Sequence, residues 1–303
     1  MRPLRFAPIV LSLAALTLGC TGNVAASGET ADAEASAITA VVVVERTSGN
    51  ALNQAENARG EAVARFVRMR SGAVDDDALR SVGAAVDFPA LGTCTRLSSG
   101  GGPTVFHALD LMDVGAVSLE TEAAKTSLVA RRLPDVADLV SGVVYTVRVR
   151  DDDRVAFPVR GHYVLRAAGS PDLDVAPFAV ESTVIGEPTD VRVGGLEPHA
   201  GEKLLVPATR QVDVTWTRPS TNASTTDGES DDLVYIDVTS ASAATTRCLF
   251  ADNGRAILSG SAFGDGDGTV TTHRLHREVF HARGIDAGEL RFDFARAVAF
   301  RRR

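Results

Sequence analysis

The sequence predicts an all-β protein made of two antiparallel β-sandwich domains. Three observations lead there. Short runs rich in Val, Thr, Leu and Phe recur at a spacing of roughly 8–12 residues, and clusters of Gly, Asp, Pro and Ser separate them. No stretch between them is long enough for the strand–helix alternation of a parallel sheet.

The first half supplies its strands in order. Val41-Val42-Val43-Val44 is a short β-branched run that suits a buried strand. In Glu61 to Arg70, Ala62, Ala64 and Phe66 alternate with Val63, Arg65 and Val67, a period of two that favours strand over helix. The runs Leu91–Leu97 (around Cys94), Thr104–Leu109, Ala116–Glu120, Thr126–Arg132, Val143–Arg150, His162–Ala167 and Phe178–Val184 follow. Turn-forming clusters such as Ser98 to Pro103 and Asp151-Asp152-Asp153 punctuate them. A boundary falls near Gly186-Glu187-Pro188, giving an N-terminal domain over 39–186 and a C-terminal one over 187–303.

Past that boundary the chain reads Pro188-Thr189-Asp190-Val191-Arg192-Val193, then Val212-Asp213-Val214-Thr215-Trp216-Thr217-Arg218-Pro219. This resembles the first two strands of a fibronectin type III domain, a proline-led strand followed by an alternating strand with a core tryptophan. Trp216 is the only tryptophan, and Val212, Val214 and Trp216 share one face of a strand. The resemblance implies an immunoglobulin-like sandwich. It stops where that family carries its tyrosine corner, since Thr269 to Phe280 contains no Tyr. After the acidic loop Asp227–Asp232 come Leu233–Val238, Thr246–Ala251, Thr269–Arg277 and Leu290–Phe300. In the last run Leu290, Phe292 and Phe294, then Val298 and Phe300, alternate with Arg291, Asp293 and Arg296 before the register drifts, which predicts one core face and one solvated face.

The first twenty residues are of another kind. Arg2 and Arg5 precede an apolar stretch from Phe6 to Leu18, which ends in Leu16-Thr17-Leu18-Gly19-Cys20. A positive end, a short apolar core and small residues at a cut site make a secretory signal over 1–19. The apolar core is short for a membrane span, which needs about 20 apolar residues. The arrangement resembles the lipobox of bacterial lipoproteins, with Thr17 where that family usually has Leu. The resemblance implies that Cys20 is lipidated and becomes the new N-terminus, and Thr21 in place of Asp implies export to the outer membrane. Residues 20–38 then read as a lipidated cysteine and a flexible tether, being rich in Ala, Ser, Gly and Thr and free of aromatics.

Composition narrows the function. The 303-residue chain carries a formal charge of −8, which becomes −10 when Arg2 and Arg5 leave with the signal. Lys125 and Lys203 are the only lysines. An acidic body of this kind does not fit binding to a phosphate backbone, so no nucleic-acid partner is expected. Once Cys20 is lipidated, Cys94 and Cys248 remain in an oxidising compartment, either bridged to each other or buried as two free thiols.

Candidate chemistry is sparse. No Gly-x-Ser-x-Gly elbow is present, and neither Cys94 nor Cys248 has a local His signature. His273, His276 and His281 lie within nine positions, with His273 and His281 on one strand face and His276 on the other. Zinc needs three or four ligands in a tight shell, so a solvent-facing histidine–arginine strand with Arg274 and Arg277 is the favoured reading. Gly264-Asp265-Gly266-Asp267-Gly268 looks like a calcium turn, but Asp-Gly pairs also mark tight hairpin turns, and that reading is favoured. Asp135 and Asp138 are the most conspicuous carboxylate pair, and a proline-set turn accounts for them equally well.

The expectation is a lipid-anchored cell-envelope protein, attached to the membrane through its N-terminal lipid. It acts as a non-enzymatic module that binds a protein or glycan, with no cofactor. The alternative is an envelope hydrolase acting on polysaccharide or peptide, which requires a concave site lined by perturbed carboxylates or histidines.

Overall fold

In a computed structural model, the described residues are 37–49, 58–97, 108–136, 139–150, 157–199, 201–218 and 232–302. The signal, Cys20, the tether up to residue 36, Asp138 and Asp151–Asp153 lie outside them. Residues 36–303 cluster as one compact unit.

The protein is all-β. In the first half run β1 (Ile38–Ser48), β2 (Ala58–Met69), β3 (Cys94–Arg96), β4 (Leu109–Leu111), β5 (Val117–Thr121), β6 (Lys125–Val136), β7 (Val140–Arg150), β8 (Gly161–Ala167) and β9 (Phe178–Val184). In the second run β10 (Thr189–Val193), β11 (Leu204–Val206), β12 (Gln211–Thr217), β13 (Leu233–Ser240), β14 (Ala243–Ala251), β15 (Arg255–Ser259), β16 (Gly266–Ala282) and β17 (Ile285–Arg302). The only α-helix among the described residues is α1 (Asp76–Ser81), capped by the Asp75 carboxylate, which accepts from the Ala78 N–H at 2.8 Å.

A large sheet runs in the order β3-β14-β13-β16-β17-β1-β2-β4-β7-β6-β5-β8-β9, and a small one in the order β10-β12-β15. Most pairings are antiparallel; β1–β17, β4–β7 and β11–β17 are parallel. The large sheet turns over on itself at β6, which pairs with β5 through Lys125–Leu128 and with β7 from Val129 onward. That fold places β5, β8 and β9 opposite β1, β2 and β7. Val42, Ala64, Phe66 and Tyr145 meet Leu119, Tyr163, Leu165 and Val180 in a first core. The small sheet closes the second core, where Val212, Val214, Trp216 and Leu258 meet Val234, Ile236, Val270 and Phe300. Trp216 is buried there, and its Nε1–H donates to Asp252 Oδ1 at 2.6 Å.

The C-terminal hairpin serves both cores. Phe280, Leu290, Phe292 and Phe294 lie in the first, and Val270, Val298 and Phe300 in the second. Between them Arg274 is 2% exposed. Its guanidinium donates to Asp252 Oδ2 (2.8 Å) and to the carbonyls of Gly186 (2.9 Å) and Glu187 (3.0 Å), at the boundary read from the sequence.

Two expectations are corrected here. The face of β17 bearing Arg291 and Asp293 is not solvated: these residues are 7% and 9% exposed. Helix α1 and the segment after it cover that face, with Leu79, Val82 and Ala84 packed on Val41 and Val43. Nor is β16 a solvent-facing histidine–arginine strand, because Arg274 is buried and His273 and His276 are largely covered. Buried charge is tolerated at both places because each group has a partner.

Candidate functional site

Direct opposition across a sheet places residues of neighbouring strands side by side on one face. On the face away from the two cores, one row runs Arg148 (β7), Glu61 (β2), Glu45 (β1) and Asp293 (β17). The adjacent row runs Arg59 (β2), Thr47 (β1), Ala295 (β17), His273 (β16) and Tyr235 (β13). Two joined features result: a covered polar cluster at Tyr235, His273 and Asp293, and an open cleft at Glu45 and Glu61.

In the cluster, the Tyr235 hydroxyl donates to Asp293 Oδ2, and Asp293 Oδ1 lies 2.8 Å from His273 Nδ1. The His273 ring stacks on Tyr235, with centroids 4.1 Å apart and planes 13° from parallel. The Arg247 guanidinium stands 4.9 Å from the centre of the Tyr235 ring and forms a two-pronged pair with Asp237 at 2.9 and 2.7 Å. Burial pushes the Asp293 carboxyl up, but His273, the Tyr235 hydroxyl and Arg247 outweigh it and hold the group below the ordinary carboxylate value. Burial and the Asp293 charge push the Tyr235 phenol well above its ordinary value.

Residues 84–97 form a strap over this cluster. The Ala84 carbonyl accepts from Arg291 (3.3 Å), and the Asp87 carbonyl from Arg247 (3.4 Å). Phe88 meets Tyr235 edge-on at 5.2 Å. Further along, the Gly92 N–H donates to the Leu249 carbonyl (2.7 Å), and the Leu249 N–H to the Thr93 carbonyl (3.1 Å). A disulfide joins Cys94 of β3 to Cys248 of β14, whose Cα atoms are directly opposed at 4.0 Å.

The open cleft, about 440 Å³, is lined by Glu45, Thr47, Arg59, Glu61 and Arg148 among others. Arg148 pairs with Glu61 at 3.1 Å, while its side chain stays 81% exposed. Glu45 is held above the ordinary carboxylate value by the surrounding protein, then by the charges of Asp293 and Glu61, which outweigh His273 and Arg65. A carboxylate raised on folding destabilises the folded state once the pH is above its folded value. Glu45→Gln is therefore expected to raise the unfolding midpoint at pH 7. That gain should vanish as the pH falls from the folded value of Glu45 to its unfolded value of about 4.3, as urea melts across this range would show.

The other candidate residues are engaged elsewhere. His276 faces Asp232 (2.7 Å) and Ser182 (3.1 Å), and His281 lies 2.6 Å from the Asp286 carbonyl, so the three histidines do not converge. Asp267 pairs with Arg301 (2.6 Å) and Lys203 (2.7 Å), which hold it far below the ordinary carboxylate value. Asp265 is fixed through its backbone by the Ser242 hydroxyl. Its segment is a bend leading from the short 3-10 turn Gly260–Ala262 into β16 and not the expected tight hairpin, because β15 pairs with β12 while β16 pairs with β13 and β17. Asp135 lies near the end of β6. Sequence reasoning missed Tyr235, Asp293, Glu45 and Glu61 as a group; only the polar residues alternating with apolar ones on each strand hinted at them.

No protein-family model matches the chain, and no curated protein matches it. Among solved structures, the FN1-FN3 domains of chicken CNTN1 align over 79% of this chain and 78% of that one, with 12% identity and a TM-score of 0.21. A superposition this loose carries no argument about the present chain.

Proposed function

We propose that this protein is a binding module of the cell envelope, anchored by lipid on Cys20, and that its cleft beside Glu45 takes a glycan. The observation that carries the reading is the donor and acceptor set of that cleft. Two carboxylates accept, two guanidinia donate, and the Thr47 hydroxyl does either, which suits a hydroxyl-rich ligand. The strands beneath are fixed on both sides by ladders, so the groups are presented with little ordering cost on binding. The anchor reading rests on the signal-like run that ends at Cys20.

A hydrolase is the second reading, and one observation favours it: the His273–Asp293 pair adjoins Glu45, which lies directly opposite Asp293 on the neighbouring strand.

The first test labels cells with a lipid precursor and fractionates the membranes, comparing wild type with Cys20→Ala. Label and outer-membrane recovery are expected for wild type only. A wild-type chain that takes no label and is found free in the medium rejects the anchor. Purified protein is then titrated with isolated envelope polysaccharide: binding that weakens at least tenfold in Arg59→Ala supports the glycan cleft, and equal binding by the variant rejects it. Release of shortened product by wild type but not by His273→Gln makes the hydrolase the better reading.

A further inference from the structure

We infer that the Cys94–Cys248 disulfide is a site of thiol–disulfide exchange for a dithiol reductant, and that it latches the strap of residues 84–97 over the Tyr235–His273–Asp293 cluster.

Accessibility separates the two cysteines. Cys94 is exposed, at the edge of the large sheet on a strand of three residues that are all exposed. Cys248 is fully buried in the second core. The exposed side of the bond is therefore that of Cys94, and the attack of an outside thiolate is assigned to its sulfur. As the new sulfur–sulfur bond to Cys94 forms, the bond to Cys248 breaks, and Cys248 leaves as a thiolate that takes up a proton. The second thiol of the reductant then attacks its own sulfur in the mixed disulfide and releases Cys94, which is protonated in turn. Two electrons and two protons pass to the cysteine pair, and the reductant departs as a disulfide.

Among the described residues, little else holds the outer part of the strap. Residues 90–96 are exposed throughout. Among the described residues, their attachments include the disulfide and the short backbone ladder to β14, with the Leu97 N–H to the Thr245 carbonyl at 2.8 Å. Beneath lies a small apolar seal of Tyr235, Leu249 and Leu275, on which Phe88 rests. Beside the seal on the same face of the sheet are charged groups that water would solvate well: Arg247, Asp237 and Asp293. A cover with few contacts over a polar interior opens locally when its tether is cut.

The test uses the mature full-length protein. A single-cysteine variant of a thioredoxin-type reductant, which cannot complete the second step, is expected to form a mixed disulfide at Cys94 and not at Cys248, as peptide mass spectrometry would show. Reduction by millimolar dithiothreitol without denaturant should then speed amide hydrogen exchange at Gly92, Leu97 and Leu249 by about tenfold or more, with β1 and β17 unchanged. Cys94→Ser should reproduce that pattern with no reductant present. Three results overturn the inference: a bond that reduces only in denaturant, an adduct on Cys248, or native reduction that leaves those three amides as slow as before. Should Cys94→Ser fail to fold, the reduced wild type still decides the matter.

Discussion

Arg274→Ala is expected to destabilise the protein by about 3–5 kcal/mol, the cost of removing one partner from a buried charged pair. Its guanidinium bonds Asp252 and the carbonyls of Gly186 and Glu187 with almost no exposed surface. Alanine leaves two carbonyls unpaired and the Asp252 carboxylate with no cation, although the Trp216 N–H still reaches it. It also leaves a void between the two cores. Lysine should recover less than half of the loss, because an ammonium on a flexible stem cannot reproduce a planar fork spanning three acceptors. Midpoints and slopes of urea unfolding followed by Trp216 fluorescence would check both variants. If Arg274→Ala melts within about 1 kcal/mol of wild type, the Gly186 and Glu187 carbonyls are being satisfied by water and Arg274 is not what holds the two cores together.

The second large effect is expected at Asp293. Replacing it with Ala leaves the Tyr235 hydroxyl and His273 Nδ1 without their shared acceptor, at a cost of about 3 kcal/mol near pH 7. The pH dependence follows from the direction of the shift. Asp293 lies below the ordinary carboxylate value when folded, so its contribution is fully present above its unfolded value of about 3.9. It is lost as the pH falls through the lower folded value. The stability gap between wild type and Asp293→Asn should therefore narrow in acid and be level above about pH 5. A gap that widens in acid would contradict the assignment. The trend is opposite to that expected for Glu45, one strand away, so urea melts of the two variants across pH distinguish a carboxylate that folding ionises from one that folding protects.

The strands were largely legible because they rest on local signals. Phe178–Val184 and Leu233–Val238 alternate or run apolar between turn residues, and strands occupy those segments. Helix α1 was missed although Asp75, Asp76 and Asp77 before Ala78 and Leu79 form an acidic helix start. It is barely more than one turn, too short for a period to show. What no local pattern carries is which strands meet. Glu45 and Asp293 are neighbours only because β1 lies parallel to β17, a pairing fixed by the packing of Val42 and Val44 with Leu290 and Phe292 in the first core. The same gap explains the misjudged face of β17. Alternation says that Arg291 and Asp293 point away from Phe292, and it is silent on whether a helix and a strap lie over them. His273 was visible as a histidine on a strand, whereas its partners come from β13 and β17, 38 residues before it and 20 after it.

The position of β1 also has a mechanical consequence. It begins at Ile38, close behind the N-terminal segment, and lies inside the sheet between β17 and β2, bonded along Thr39–Ser48 on one side and Ile38–Ser48 on the other. Tension applied along the strand axis at Ile38 would load both ladders together in shear and not peel them open one bond at a time. A chain held by its N-terminus while its cleft grips a ligand would bear that tension on a strand bonded along both edges.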